Sequence, residues 1–509
     1  MVPRAGHWIA GMFVLATGFI AAQQSQQIPR TWDDEEIARQ EVPLAQPEAS
    51  PKHVSSDYYY RIPVRPIYKS YPVYAYGHEP SGYFESLKRQ EPVVVWDGTG
   101  SGPAPQTDAD WVHAGEVVFD APLVMNTTVA VEDVRDQRWL STTGAPVAGD
   151  GTIPGVQYVI RKKGVIELGS TSCAFCHTRV MPDGSTLKGA QGNLPIQRAV
   201  AFRWRAASAA ASDKNQYTVQ TRTFLKRLHG APYLNRDPQD RIDSMSIEEM
   251  AALFDSYPAG VSLRQRGNSF LPIQVPDLIG VKDRRYLDRT GLAMHRSIGD
   301  MMRYAALNQG ADSLASYAGF IPIDAPRYRQ LPGPEQFTRY SDEQLYALAR
   351  YIYSLEPPAN PNRFDSRAAR GKQVFDDAGC ATCHRPPLYT NNRLTPAIGF
   401  TVPDDHRDRF DVMSRSVGTD PELALRTRRG TGYYKVPSLK GVWYRGMFGH
   451  SGWAATLEDW FDPRRLRDDY VPTGWKPFGA RTYAVKGHQF GLDLSDEDRG
   501  ALIAFLKTL

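Results

Sequence analysis

Two copies of the pattern Cys-x-x-Cys-His constrain this chain more than any other feature. The copies are Cys173, Cys176 and His177, and then Cys380, Cys383 and His384. In this pattern two thiols bond to the vinyl groups of a haem, and the adjacent histidine binds the iron. These four cysteines are all the cysteine in the 509 residues, so attachment at both copies leaves none for a disulfide. We therefore predict two covalently attached haem c groups.

Other uses of paired cysteines fit this chain less well. A zinc site or a thiol redox motif can contain Cys-x-x-Cys pairs, but neither needs a histidine directly after both pairs. The formal net charge is only +4, which provides no electrostatic basis for binding nucleic acid. We therefore expect a redox protein without a nucleic-acid partner.

The N-terminus predicts export. Residues 1–22 combine Arg4 with an apolar run over residues 9–22 that is shorter than a membrane-spanning helix, which is typical of a cleaved signal peptide. An uncleaved anchor is the alternative. Because bacteria attach haem c outside the cytoplasm, we expect a periplasmic or secreted protein.

The rest of the chain divides into three parts. Residues 23–149 form an N-terminal extension with short β-prone runs between Gly, Pro and Asp turns. Residues 150–357 and 361–509 each hold one haem motif, and a proline-rich linker separates them. The predicted fold is mainly α, with two cytochrome c-like domains related by an internal repeat and an irregular β-containing N-terminal region.

The repeat rests on matching landmarks in the two halves. Residues 341–355 and 495–509 both begin with Ser-Asp-Glu and then show apolar spacing of three and four, which predicts a capped closing helix in each half. Residues 275–281 (VPDLIGV) and 436–442 (VPSLKGV) precede those helices in the same order. We therefore expect two similar modules.

The halves differ just before the closing helix. His488 stands there in the second half, whereas the first half has Pro334, Glu335 and Gln336, and residues 303–340 contain neither His nor Met. The occupant of the sixth iron position decides between electron transfer and reaction with a small molecule. We predict that His384 and His488 both bind the second iron, and that the haem bound by His177 is open and catalytic.

Other residues remain possible ligands of the first iron. His295 and His450 each follow one of the two matching loops, which suggests a shared structural role. If His450 is the distal ligand of the second haem, His295 is a candidate for the first. Met301 and Met302 are further candidates, although methionines at this spacing are more often core residues.

Several segments resemble the bacterial di-haem cytochrome c peroxidase superfamily. Within it, residues 436–446, 456–463 and 485–492 are most similar to the secreted haem-dependent rubber oxygenases, which cleave polyisoprene with O2. The resemblance covers residues 150–509. It implies an open first haem at His177 and a bis-histidine second haem at His384 and His488.

Three functions follow as hypotheses. The leading one is a haem-dependent oxidoreductase that activates O2 at the His177 haem and cleaves an apolar substrate such as polyisoprene. The second is a peroxidase that reduces H2O2, for which Glu335 is the one distal acid/base candidate from the repeat comparison. The third is an electron-transfer cytochrome with no catalytic site. All three allow a redox partner protein.

Overall fold

The computed structural model describes residues 27–97, 105–124, 128–263, 266–322 and 337–509. The expected signal peptide lies outside these ranges, and so do residues 334–336, which include Glu335. Within the described residues, no helix has the length and apolar character needed to cross a membrane.

The α-helices are numbered in chain order. They are α1 (Asp34–Gln40), α2 (Ser56–Arg61), α3 (Tyr83–Lys88), α4 (Asp108–Asp120), α5 (Val131–Arg135), α6 (Gln137–Thr143), α7 (Cys173–His177), α8 (Ile196–Ala210), α9 (Lys214–His229), α10 (Ile247–Asp255), α11 (Ile298–Asn308), α12 (Asp342–Ser354), α13 (Ser366–Asp377), α14 (Asp404–Arg409), α15 (Glu422–Leu425), α16 (Leu457–Trp460) and α17 (Asp496–Lys507).

The strands are short apart from one hairpin. They are β1 (Ile67–Tyr68), β2 (Ser70–Tyr74), β3 (Val94–Trp96), β4 (Leu123–Val124), β5 (Thr152–Lys162), β6 (Val165–Thr171), β7 (Thr178–Val180), β8 (Thr186–Lys188), β9 (Val261–Ser262), β10 (Ile273–Gln274), β11 (Tyr286–Leu287), β12 (Ala293–Met294), β13 (Leu394–Pro396) and β14 (Tyr433–Lys435).

Helices predominate, but β structure extends further along the chain than the sequence indicated. The largest described sheet is antiparallel with strand order β2-β5-β6-β4, and its central hairpin pairs Tyr158 with Leu168. Strands β5 and β6 lie beyond residue 149, directly before the first haem motif. The β-containing region is therefore not limited to the N-terminal extension.

Both predicted closing helices are present with the predicted caps. Helix α12 begins after Ser341, whose hydroxyl accepts from the backbone N–H of Gln344, and α17 begins after Ser495, whose side chain accepts from Asp498. Each N-cap serine satisfies a backbone donor that the first helical turn leaves without a partner. The sequence signature at both N-termini is thus confirmed.

Each closing helix crosses one earlier helix through a glycine. Helix α13 crosses α17 at Gly371, where an added Cβ would overlap the carbonyl oxygen of Ala501 and lie 2.8 Å from the Cβ of Phe505. Helix α4 crosses α12 at Gly115 in the same way, with the Cβ of Tyr351 at 2.7 Å. The absence of a side chain at each glycine lets the two backbones touch.

The crossings also share an aromatic contact one helical turn after the glycine. Phe375 lies 5.3 Å from Phe505 between ring centroids, and Phe119 lies 5.1 Å from Tyr351. Helix α4 lies in the expected N-terminal extension, whereas its partner α12 lies in the expected first haem domain. The expected division at residue 150 therefore separates two helices that pack on each other.

The matching loops also have the same conformation. Gly280 and Gly441 have φ values of 71° and 73°, and each loop presents its leucine N–H to a carbonyl close to a haem-motif histidine. Leu278 donates to Gly189 at 2.7 Å, and Leu439 donates to Tyr389 at 3.2 Å. Both loops therefore lie beside a Cys-x-x-Cys-His motif.

Candidate haem sites

The second motif begins where helix α13 ends. Gly379 adopts a left-handed conformation with φ 73°, and Cys380 starts a short 3₁₀ turn. The backbone N–H of His384 donates to the carbonyl of Cys380 at 2.9 Å, which completes one compact turn. This turn places Cys380, Cys383 and His384 on the wall of one cavity.

The cavity beside the second motif has a volume of about 220 Å³. Most of its wall is apolar, and the side chains from the two crossing helices and the following loops include Phe375, Val442, Leu457, Phe461, Leu502 and Leu506. An apolar wall that carries two thiols and two imidazoles fits a covalently bound porphyrin, because the macrocycle is apolar and its iron takes axial ligands.

His384 and His488 face each other across this cavity. Their ring centroids are 6.3 Å apart, with 63° between the ring planes. Metal–nitrogen bonds to histidine are about 2 Å long, so two imidazoles on one metal have centroids about 6 Å apart. The separation therefore fits one iron held between these two side chains.

The surroundings of His384 favour iron binding through Nε2. Its Nδ1 lies 3.1 Å from the carbonyl oxygen of Tyr389, which accepts only if Nδ1 carries the proton. Burial lowers the pKa of His384, so the ring is neutral at neutral pH. A backbone acceptor on the second nitrogen is the usual way to orient a histidine ligand.

A tightly held loop positions His488. Its backbone has φ 42°, and its N–H donates to the carbonyl of Val417 at 2.6 Å. Gly487 approaches the backbone of Gly418 so closely that any Cβ would collide with it. The Arg465 guanidinium donates to the carbonyls of Gly487 and His488 at 3.0 and 2.7 Å. These contacts explain how a residue with an unfavourable positive φ keeps its place.

The charge state of His488 also suits an axial ligand. Burial is the main cause that lowers its pKa to about 3, and the nearby His384 and Arg465 lower it further. A neutral imidazole is the form that binds a metal. The ring therefore does not have to lose a proton before binding iron.

The first motif is a complete helical turn, α7, rather than a 3₁₀ turn. Ser172 caps it by accepting from Phe175 at 3.0 Å, and His177 is buried. The carbonyls of Cys176 and His177 accept from Gly192 and Gly189, at 3.1 and 2.7 Å. The motif is thus fixed to the residues that follow it.

Contacts around the first motif differ from those around the second. Gln309, just after helix α11, has its Nε2 at 3.9 Å from the sulfur of Cys173. Met301 and Met302, on α11, are buried in the core cluster that also contains Leu345 and Ile352 of α12. This supports the interpretation of both methionines as core residues.

His295 is engaged by protein groups at both ring nitrogens. Nδ1 lies 2.8 Å from the carbonyl of Arg284, and Nε2 lies 2.5 Å from the hydroxyl of Tyr353 on α12. Burial lowers its pKa, so one nitrogen donates and the other accepts. An imidazole used in this way leaves no nitrogen for an iron.

His450, like His295, has its Nε2 beside a tyrosine hydroxyl, that of Tyr434 at 3.3 Å. It stacks on Tyr434 with centroids 4.3 Å apart and contacts Trp453 at 4.4 Å, and it forms part of the second cavity wall. A shared structural role for His295 and His450 therefore stays a prediction. The geometry pairs His384 with His488.

The sequence analysis missed the groups that hold the ligands. Neither the Tyr389 carbonyl nor Arg465 belongs to a recognisable motif; the first is a backbone group, and the second is a side chain that donates to backbone carbonyls. The first crossing helix had a usable signal, since residues 115–119 (GEVVF) and 371–375 (GKQVF) share Gly-x-x-Val-Phe. A search for that pattern upstream of Cys173 would have found α4.

Similarity to known proteins supports the resemblance inferred from the motifs. No protein-family model matches the chain. Methylamine utilization protein MauG of Methylorubrum extorquens is 25% identical over 213 residues, and MauG of Paracoccus denitrificans is 27% identical over 217. Each match covers 40% of this chain, and the chain spans about half the length of the curated relatives it matches, 54% and 51%. The resemblance to the di-haem cytochrome c peroxidase superfamily is confirmed.

The solved structures with similarity to this chain include two that resemble it more weakly. A MauG-like protein associated with microbial copper homeostasis is 20% identical, and Kuenenia stuttgartiensis hydrazine synthase is 16% identical. Each match covers 57% of this chain, with 88% and 87% of the respective structures and a TM-score of 0.29. At that TM-score neither structure carries an argument about fold or function.

Proposed function

We propose that this protein is an exported di-haem c-type cytochrome that acts as a redox enzyme of the peroxidase type. The haem attached at Cys173 and Cys176 is the reacting site, and the haem attached at Cys380 and Cys383 holds or relays electrons. When bound, such haems supply one-electron transfer and activation of peroxide or O2.

The observation that carries this proposal is the 6.3 Å separation of the His384 and His488 rings. Two imidazoles at this distance would both bind one iron. A six-coordinate haem transfers electrons without binding a small molecule, because it offers no open position. The second site is therefore the electron-storing one.

The first site is the reacting one because its candidate ligands have other roles. His295 uses both nitrogens for bonds to Arg284 and Tyr353. Residues 303–340 contain no His or Met, although the second half has His488 at the corresponding place. His177 then provides the proximal side, and the distal side remains for an oxidant.

Hydrogen peroxide is the oxidant that we propose. The confirmed resemblance is to the peroxidase superfamily, and both curated relatives are MauG proteins. The cleavage of polyisoprene, which the resemblance to rubber oxygenases implied, gains no support from these matches. A reduced redox protein is the proposed electron donor.

Spectroscopy with CO and turnover with H2O2 test the proposal. The purified full chain should contain two haem c groups, and the reduced protein should bind one CO per chain. Peroxide should be consumed with a reduced donor, and Cys173→Ala should abolish this activity. Two six-coordinate irons that exclude CO would instead identify an electron carrier, and products formed from polyisoprene under O2 would restore the oxygenase hypothesis.

A further inference from the structure

Four basic side chains from both halves of the molecule line one small pocket. They are Arg284, Arg289, Lys435 and Arg445. We call them the junction cluster. Three of its members, all except Arg284, also line the second haem cavity. The cluster therefore forms the charged end of an otherwise apolar cavity.

Two of these arginines occupy the same position in the internal repeat. The Arg284 guanidinium donates to the carbonyls of Asp277 and Ile279 in its own loop. Arg445 donates to the carbonyls of Ser438 and Lys440, at 3.0 and 2.7 Å, which are the corresponding residues of the second loop. Both arginines thus lock a loop and bring a positive charge to the junction.

The protein provides little negative charge in return. Asp277 is the one carboxylate that lines the pocket, with its side chain 1% exposed. Its oxygens already accept from the N–H of Ile279 and the hydroxyl of Tyr444, both at 3.0 Å, and the Nε of Arg445 lies 3.9 Å away. That Nε is buried and has no hydrogen-bond partner among the described residues.

The like charges act on one another. Burial, followed by repulsion from Arg284, Arg289 and Arg445, holds the pKa of Lys435 well below its usual range. Burial and the neighbouring arginines also lower the pKa of Arg289 to about 9. Partly buried cations without matching anions are costly, so this arrangement is suited to receiving an anion.

We propose that the junction cluster is a carboxylate-binding site that takes the propionate groups of the haem attached at Cys380 and Cys383. This inference rests on the proposed function. The cluster lies at the end of the cavity lined by His384 and His488, so an apolar macrocycle in that cavity places its carboxylates at these cations. Arg284 and Arg289 come from the first half, so the same contact ties the two modules together.

The cluster also has a predictable effect on electron transfer. Oxidation of the haem adds one positive charge at the iron, and nearby cations oppose that charge through a medium of low dielectric constant. A bound carboxylate favours the protonated form of Lys435, so Lys435 and its neighbours then favour the ferrous state. Loss of one cation makes the second haem easier to oxidise.

The test replaces Lys435 with an uncharged residue of similar length. In Lys435→Met we expect the ferrous-to-ferric ratio of the second haem, measured at one fixed solution potential, to fall about tenfold. This change corresponds to a midpoint potential that is lower by about 59 mV. Lys435→Arg keeps the charge and should retain the potential. Lys440→Met is the matched control, because Lys440 is an exposed lysine on the adjacent loop and lies outside the cluster.

Haem content is measured first, with spectroelectrochemistry as the main readout. A midpoint potential in Lys435→Met equal to that of Lys440→Met would overturn the carboxylate site while leaving the proposed function intact. Absence of haem at Cys380 in the unmodified protein would overturn the proposed function itself. If Lys435→Met does not fold, Arg289→Gln tests the same expected shift.

Inorganic phosphate tests whether the junction cluster holds the haem propionates or a free anion. If haem propionates occupy the cluster, added phosphate leaves the potential of the unmodified protein unchanged. A potential that moves with phosphate in the unmodified protein but not in Lys435→Met would show that the cluster takes a free anion, and would overturn the propionate assignment.

Discussion

The two helix crossings are almost identical, whereas the two haem-motif surroundings are not. Gly115 and Gly371 meet Ala347 and Ala501 in the same way, with closely similar distances to the next aromatic residue. Yet one motif is a turn of α-helix and the other a 3₁₀ turn, and in the second motif the imidazole of His488 faces that of His384. The helix crossings are thus alike, whereas the local structure of the two motifs differs.

This difference has a physical origin. A helix crossing at a glycine tolerates no added atom, because both backbones are in contact. A distal ligand is held instead by a loop, such as the one clamped by Arg465, and a loop can change without disturbing the core. Packing therefore constrains the helix crossings, whereas the loop that supplies a distal ligand can change.

The largest expected effect on the stability of the protein is that of Gly371→Ala. The new Cβ overlaps the Ala501 carbonyl, so we expect a loss of about 4 kcal/mol or more in the free energy of unfolding. Gly115→Ala should cost a similar amount. The control is Gly500→Ala on α17, whose Cβ would meet only the end of the flexible Arg367 side chain. Urea unfolding measures all three, and equal stability of Gly371→Ala and Gly500→Ala would refute the shared crossing.

The ligand difference is tested by His488→Ala. Loss of the second imidazole should convert the six-coordinate haem from low spin to an altered spin state, while CO binding at the first haem remains. His295→Ala should leave both haem spectra unchanged and cost about 1 to 3 kcal/mol, because it removes the buried contacts to Arg284 and Tyr353. Visible and EPR spectra separate these outcomes, and an unaltered spectrum in His488→Ala removes it as a ligand.

The stability of the protein should depend on pH through His450, which lines the cavity beside the second motif. Burial, with Arg289 nearby, lowers the pKa of His450 to about 3, against about 6.5 in the unfolded chain. The unfolded state therefore binds the proton first, and the stability present above about pH 6.5 is lost as the pH falls towards 3. We expect protonation linked to His450 to lower the free energy of unfolding by about 2 kcal/mol between about pH 7 and pH 5.

The measurement compares urea unfolding of His450→Phe with the unmodified protein at both pH values. The variant should lose less stability on acidification. His113→Phe is the control, because His113 is exposed on α4. Parallel losses in the unmodified protein and His450→Phe would contradict the assignment.

The smallest predicted effect compares the caps of the closing helices. Ser341 is buried and makes a full capping box with Gln344, whereas Ser495 is exposed and caps Asp498 alone. We expect Ser341→Ala to cost about 2 kcal/mol and Ser495→Ala about 0.5 kcal/mol. Thermal unfolding gives both values, and the reverse order would show that burial does not strengthen the cap.

Local signals in the sequence predicted part of this structure correctly. The serine caps at 341 and 495 and the matching loops follow from short-range patterns of propensity and spacing. The partner of the first crossing was missed, since α4 lies more than fifty residues before Cys173 with the β5-β6 hairpin between them. Because a long segment separates α4 from the first motif, a comparison of the two halves that assumes constant spacing does not align α4 with α13.

What the sequence alone determined was the prediction of haem attachment, because two cysteines and a histidine within five residues form a local motif. Only the tertiary structure decided which histidine faces His384, that His295 is occupied elsewhere, and that Arg284 and Arg445 meet at one junction. These are contacts between residues far apart in the chain, and packing of the two modules, rather than local propensity, brings them together.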